Sequence, residues 1–436
     1  MKSRSIRGDA CLDNRDALVH ELDVPTTASD LDLILHAYRR WGGSCPAHLL
    51  GDFAFLIEDP DSGLAFGARD HVGAAPFCYR VTRDRIVLGD SAREAADAAS
   101  SIDEVRIADV LVPELEGFDA ASTLYADVRR LPAAHTLTLA GGSIRISRYW
   151  DPRDAVAAPA DDDTCVEAFR ATFREAVRCR LRGAAASMLS GGLDSSVVAG
   201  FGAAIRLEER AAPLATISAV TGDPACEESR HARAVAAMPG IAPSWIEPDA
   251  VVSLRPQLER FLARTEPFDV AMVLPALVYA AAHERGAATV LDGLDGDAVA
   301  SLEPPFLADL LRMGAFRAAG REAAAMAAFY GASAVGLLAG AAFRAFTPPF
   351  AASALGPMRH PGRVRSALRE SLVHPDLARR ANVAERLRAT WSHRRLARPG
   401  DPRARHLLEL SHPQIAAALE RYHRCLLYTS PSPRDS

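Results

Sequence analysis

Lysine is almost missing from this 436-residue chain: Lys2 stands alone among 50 Lys+Arg. That absence excludes a Schiff-base lysine and a Walker A loop, whose lysine must follow its last glycine. Cysteine is sparse and dispersed, at positions 11, 45, 78, 165, 179, 226 and 425, with no C-x-x-C pair. Such a set fits reduced thiols in a cytoplasmic protein rather than a disulfide framework. The 13 histidines show no ligand-like spacing, so no zinc site is expected. No secretory h-region follows MKSRSIRGDA, and the longest uncharged apolar stretch, Ala332 to Phe343, falls short of the ~20 residues of a membrane helix. Cationic excess is also lacking: the formal charge is -5, which argues against nucleic acid as the partner. What is present, 49% hydrophobic and 24% charged residues, is the composition of a folded protein of two or three domains.

Residues 1–150 read as strands and short helices. Apolar positions from Leu31 to Tyr38 recur at helical spacing after Ser29-Asp30, and the pattern stops at Trp41-Gly42. Asp52–Glu58 and Leu64–Ala68 read as strands around the turn 59–63, and Arg85–Gly89 and Thr136–Leu139 continue the pattern. A linker is expected at 151–163, where Pro, Ala and an Asp triplet break all periodicity. From Thr164 helix and strand alternate: helix Cys165–Arg180, strand Ala184–Leu189, helix Ser195–Arg206, strand Leu214–Val220 and helix Arg230–Met238. Helix Pro275–Arg285 and strand Ala288–Leu291 follow. This alternation predicts an α/β fold with a doubly wound parallel sheet, and a mostly helical part after residue 300. The last stretch, 425–436 (CLLYTSPSPRDS), departs from the Arg/Ala-rich helix before it and reads as a non-native tail.

The heptad Ser190-Gly191-Gly192-Leu193-Asp194-Ser195-Ser196 lies between an apolar strand and a helix. Two glycines let the backbone turn its N–H groups onto an anion, and the helix N-terminus adds its positive end. The three serines offer hydroxyls to phosphate oxygens, and Asp194 is a hard oxygen ligand suited to Mg²⁺. A second strand leads into Asp292-Gly293-Leu294-Asp295-Gly296-Asp297, three carboxylates on one turn, a pattern that a cation would relieve.

The first motif resembles the pyrophosphate-binding loop of N-type ATP pyrophosphatases. The second resembles the S-G-x-G-x-D-E segment of asparagine synthetase-like proteins, and Glu266-Pro-Phe-Asp269 resembles that family's E-x-x-D segment. Leu50–Asp59, Ala68–Gly73, Pro76–Tyr79, Leu131-Pro132 and Arg148–Pro152 look like the family's glutaminase domain. The resemblance spans about Asp9 to Arg424. It implies a partial glutaminase-like α+β domain of the N-terminal-nucleophile type at 1–150. A pyrophosphatase domain follows at 164–424. It also implies an ATP site at Leu189, Ser190, Gly191, Gly192, Asp194, Ser195, Ser196, Asp292 and Gly293. Asp194 and Asp297 become the Mg²⁺ ligands, Ile217–Val220 the adenine contact, and Asp30 the remnant of the glutamine-binding site.

Three departures qualify the resemblance. The family's nucleophilic cysteine should be residue 2, which is lysine here, and its N-G-E segment falls on Asp9, Ala10 and Cys11. Cys11 is no substitute, because it lacks a free N-terminal amine as base. Leu294 takes the place of a family glutamate, or of a tyrosine in β-lactam synthetases, and cannot move a proton, leaving Asp295 as the candidate. The lysine that stabilises pyrophosphate release has no counterpart. Truncation at both ends is the expectation these departures favour. Its rival is a branch in which the substrate's own amine attacks, as in lasso-peptide cyclases and β-lactam synthetases.

The expected activity is that of an ATP- and Mg²⁺-dependent amide ligase forming an acyl-adenylate. Its partners would be a small-molecule or peptide carboxylate and an amine donor, with a homodimer as the assembly. The rival from another class is a catalytically inactive ATP-binding relative. Two features stand outside the motifs. Cys226-Glu227-Glu228 is expected at a solvated loop edge near the nucleotide. From Arg359 to Arg405 arginines crowd around only Glu370, Asp376, Glu385 and Asp401. That run reads as a solvated helix face, or else as a docking surface for an acidic peptide or carrier partner.

Overall fold

The computed structural model describes residues 4–82, 85–115, 119–154, 161–221, 223, 225–247, 250–264, 273–294, 296, 299, 306–347 and 362–393, with single positions at 406, 407, 410, 415, 419 and 420. They fall into two compact units. One draws on Met1–Asp103, Asp119–Gly296 and Pro413–Ser436, the other on Glu104–Phe118 and Asp297–His412.

The first unit opens with β1 (Ser5–Leu12), α1 (Arg15–Leu22) and α2 (Asp30–Trp41). A capping box starts α2, with the Asp32 N–H donating to Ser29 Oγ at 3.1 Å and the Ser29 N–H to Asp32 Oδ2 at 3.0 Å. β2 (Gly51–Asp59) and β3 (Leu64–Arg69) follow, then β4 (Cys78–Val81), β5 (Ile86–Gly89) and the short α3 (Ala92–Ala95). After α4 (Glu104–Leu111), which belongs to the second unit, come β6 (Val128–Arg130), β7 (His135–Ala140) and β8 (Ser143–Arg148). They build an antiparallel sheet ordered β1-β2-β3-β7-β8 and a smaller one ordered β5-β4-β6.

Strand β2 shows why these layers stack. Phe53, Phe55 and Ile57 pack with Leu33, Ile34 and Ala37 of α2, while Ala54 and Leu56 pack with Phe77, Tyr79 and Leu131. The period of two therefore sends alternate residues into two separate cores, so the strand reads as almost wholly apolar.

In the same unit α5 (Asp162–Arg180), β9 (Ala185–Met188), α6 (Leu193–Glu208), β10 (Leu214–Ala219), α7 (Glu227–Ala236) and β11 (Ile241–Ile246) alternate. α8 (Ala250–Arg264), α9 (Val273–Glu284) and β12 (Thr289–Leu291) complete it. The parallel sheet runs β11-β10-β9-β12. Met188, Ile217 and Val290 meet Tyr279 and Ala282 of α9 on one face. Ala185, Leu214 and Ile205 of α6 pack together on the other. The α/β class expected from the alternation is what the chain adopts. Helix α5 begins at Asp162, with the Thr164 N–H donating to the Asp161 carboxylate at 2.8 Å, so the helix starts inside the stretch read as linker.

The second unit is helical among its described residues. α10 (Phe306–Arg312), α11 (Phe316–Tyr330) and α12 (Ala334–Phe346) share a core around Leu307, Leu311, Ala323 and Ala341. α13 (Arg363–Glu370), α14 (Pro375–Arg380) and α15 (Val383–His393) pack with α4 around Val112, Ala367, Val383 and Leu387.

Candidate active site at the switch point of the parallel sheet

From β9 the chain moves through α6 and α7 to β10 and β11 on one side, whereas β12 lies on the other side of β9. The crevice beyond the carboxyl ends of β9 and β12 is thus a topological switch point, where open parallel sheets place their ligands. A cavity of about 310 Å³ lies there. Met188, Leu189, Ala219, Leu274, Pro275 and Val278 give it an apolar wall, and Ser190, Gly192, Asp194, Ser195 and Gly293 a polar one. Volume and lining suit a small ligand with one flat apolar part and one anionic part.

The Ser190–Gly192 turn is held by its own hydroxyls. Ser190 N–H donates to Ser195 Oγ at 3.1 Å, the two hydroxyls lie 2.9 Å apart, and the Gly192 N–H donates to Ser190 Oγ at 3.3 Å. Ser196 donates its hydroxyl to the Gly192 carbonyl at 2.7 Å, so it serves the helix start and stands off the cavity wall. Gly191 has φ +90, and a Cβ there would fall 2.1 Å from the Glu228 carbonyl oxygen, so only glycine fits this turn against α7. Gly192 caps α6 without any side-chain acceptor, which leaves the helix's positive end directed at the cavity.

The segment after β12 closes against that helix end. A Cβ on Gly293 would lie 2.4 Å from the Ser195 nitrogen, and one on Gly296 would lie 2.7 Å from Asp194 Oδ2. Two chain segments some hundred positions apart thereby meet with no room for a side chain between them. Asp292 does not line the cavity. Its carboxylate accepts from the hydroxyl of fully buried Tyr279 and, at 3.1 Å, from the Leu294 N–H, which fixes the turn. Asp295 and Asp297 lie outside the described residues, as do Glu266 and Asp269.

Of the expected ATP set, the structure brings Leu189, Ser190, Gly192, Asp194, Ser195 and Gly293 to one cavity. Gly191, Ser196 and Asp292 shape it from behind. Among the described residues no cluster of three His, Cys, Asp or Glu is placed to hold a metal. Asp194 nevertheless presents a hard carboxylate donor beside the helix end, seated against Gly296. That donor suits a Mg²⁺ completed by phosphate oxygens. The sequence reading missed the α9 wall of Leu274, Pro275 and Val278, whose only signal was its apolar run. It also left Glu228 as a solvated carboxylate; the side chain is exposed but stands on the cavity lining.

A second polar cluster occupies the N-terminal half of this unit. Asp30 Oδ2 accepts the Leu12 N–H at 2.8 Å and its other oxygen pairs with Arg15. Arg180, at the end of α5, forks onto Asp13 (2.5 and 2.8 Å) and Asp52 (2.6 and 3.0 Å). Desolvation raises the Cys11 thiol pKa against the pull of Arg180, which disfavours a thiolate there.

Comparison with known proteins accords with this arrangement. Residues 13–150 match the family described as a glutamine amidotransferase domain, and residues 168–427 match asparagine synthase. Asparagine synthetase [glutamine-hydrolyzing] 3 of Bacillus subtilis (strain 168) is 31% identical over 225 residues, which cover 50% of this chain and 36% of that protein. The putative asparagine synthetase [glutamine-hydrolyzing] 2 of Methanocaldococcus jannaschii is 29% identical over 182 residues, 40% of this chain and 35% of that one. Amidase chyE of Penicillium rubens is 27% identical over 191 residues, 43% of this chain and 28% of that one. The matched stretches thus span about a third of these relatives or less. No described helix is long and apolar enough to cross a membrane. With an asparagine synthase match over more than half its residues, preceded by the glutamine amidotransferase match, the chain belongs to the asparagine synthase family.

Proposed function

We propose that this protein is an ATP-dependent carbon–nitrogen ligase that activates a carboxylate as its acyl-adenylate and passes it to an amine. The observation that carries this reading is the cavity at the β9/β12 switch point, with a glycine turn and an uncapped helix end on one wall and apolar side chains on the other. The apolar wall takes the base of ATP, with β10 residues up to Ala219 beside it. The Ser190–Ser196 turn takes the phosphates, its N–H groups and hydroxyls turning from one another to the anion.

The substrate carboxylate attacks the α-phosphorus, the bond to the β-phosphate breaks, and pyrophosphate carries away the electron pair. The amine nitrogen then attacks the acyl carbon and AMP leaves. The protein's part in the first step is electrostatic: fixed N–H dipoles aimed at charge that develops on the departing pyrophosphate. Asp194 would hold a Mg²⁺, which would supply further charge neutralisation there. Asp297 is proposed as its second ligand, and Asp295 as the acceptor of the amine proton.

One observation favours a substrate amine over ammonia from glutamine. Asp30 is already engaged by Arg15 and the Leu12 N–H, not open to an incoming amino group. A macrolactam-forming or β-lactam synthetase-like reaction is therefore the second reading. The test is ATP-dependent pyrophosphate release with panels of acids and amines, in wild type and Asp194→Ala. Release in wild type and its loss in the variant are expected; equal release in both overturns the assignment.

A further inference from the structure

The helical unit holds a second cavity, about 540 Å³, formed by α13, α14 and α15. Leu368, Val373, Ala378 and Ala384 floor it, while Arg379 and Arg388 stand on its rim with Glu385. Its size is that of a site for one or two side chains of a peptide. Leu372, 84% exposed, follows α13 directly before the floor residue Val373 and extends the apolar surface.

Charge decides what such a groove would admit. The nearby acids are largely spent inside the unit. Glu104 takes Arg380 at 2.9 and 3.1 Å, Asp109 takes Arg386, Asp376 takes Arg379, and Glu370 accepts from the Ser366 hydroxyl at 2.6 Å. Across α13, α14 and α15 stand seven arginines against Glu370, Asp376 and Glu385, and among the described residues Arg365, Arg369 and Arg388 have no carboxylate partner. The surface around an apolar cavity is therefore positive by construction, in a chain whose formal charge is -5.

We propose that this groove docks an acidic peptide segment, inserting one or two apolar side chains between α13 and α15 and setting a carboxylate on Arg388. This goes beyond the ATP reaction and stands on different residues. Arginine suits the role because its planar fork binds carboxylates bidentately at modest desolvation cost.

The test is fluorescence anisotropy of the full chain with three labelled twelve-residue peptides: alternating Glu and Leu, alternating Lys and Leu, and Glu alone. The Glu–Leu peptide is expected to bind, more weakly as NaCl rises from about 50 to about 300 mM. Arg388→Glu and the cavity-filling Ala384→Trp are each expected to weaken it about tenfold, while Arg145→Glu on exposed β8 leaves it unchanged. Arg388 is exposed, so its variant reports on binding even where Ala384→Trp fails to fold. Equal binding of the Glu-only peptide would show a charge effect without a groove, and equal binding of the Lys–Leu peptide a greasy surface. Either result, no binding at all, or an unaltered Arg388→Glu variant overturns the proposal.

Discussion

Gly293 illustrates how far single residues set this site. The Cβ that alanine would add falls 2.4 Å from the Ser195 nitrogen and 2.8 Å from the Asp194 Cβ, backbone and root atoms that cannot swing aside. Gly293→Ala should therefore push the β12 loop off the start of α6, weakening Mg·ATP binding about tenfold or more while far-UV circular dichroism stays native. Titration calorimetry checks this. The need for glycine at 191 was legible in the sequence, because a Gly-Gly turn between an apolar strand and a helix has few other uses. The roles of Asp292 and Tyr279 were not. Their hydrogen bond joins a loop to a buried helix residue thirteen positions earlier, and local pattern carries no trace of it. In sequence Asp292 looked like a ligand; in the fold it holds the Leu294 N–H and the Tyr279 hydroxyl.

At the level of elements, the strands and helices with strong periodicity were readable, and their order already implied a parallel sheet. Those that escaped had physical reasons. β8 is exposed at nearly every position, so it shows no apolar alternation. β11 contains Pro243 and is the edge of its sheet, where a strand tolerates proline. Between elements the sequence was silent about ion pairs. Arg180 joins the end of α5 to Asp13 and Asp52, and its removal leaves two partly buried carboxylates facing each other. Arg180→Ala should cost about 2–4 kcal/mol in urea unfolding. Asp151, just after β8, offers a pH test. Its hydrogen bonds to Arg153, with the charges of Arg148 and Arg153, lower its pKa to about 2. A carboxylate depressed in the fold contributes stability above its unfolded value near 4 and loses it as pH falls toward 2. Replacing both Arg148 and Arg153 by alanine should flatten the acid limb between those values and leave the neutral-to-alkaline range nearly parallel to wild type.

Among the described residues of the first unit, the side-chain pair most distant in sequence is also among the most buried. Glu420 is 3% exposed and pairs with Arg69 at 2.6 Å and Arg130 at 3.0 Å, themselves 1% and 9% exposed. Arg69 also donates to the carbonyls of Ala75 and Leu131, both at 2.8 Å, so it is a framework residue of the antiparallel half. Glu420→Gln would remove the anion that these two buried guanidinium groups share. A loss of about 3–5 kcal/mol is expected, read as a lowered thermal midpoint. No sequence pattern links positions 69, 130 and 420; only the folded chain brings them together. The same holds for the cavity, whose walls bring Ser190, Gly192, Asp194 and Ser195 together with Gly293 and Leu294. The central claim is that these walls form one Mg·ATP site. The direct measurement is isothermal titration of Mg·ATP into wild type and Asp194→Ala. One site per chain in wild type, weakened at least about tenfold in the variant, is the predicted result; no heat in wild type, or identical isotherms, would contradict the account.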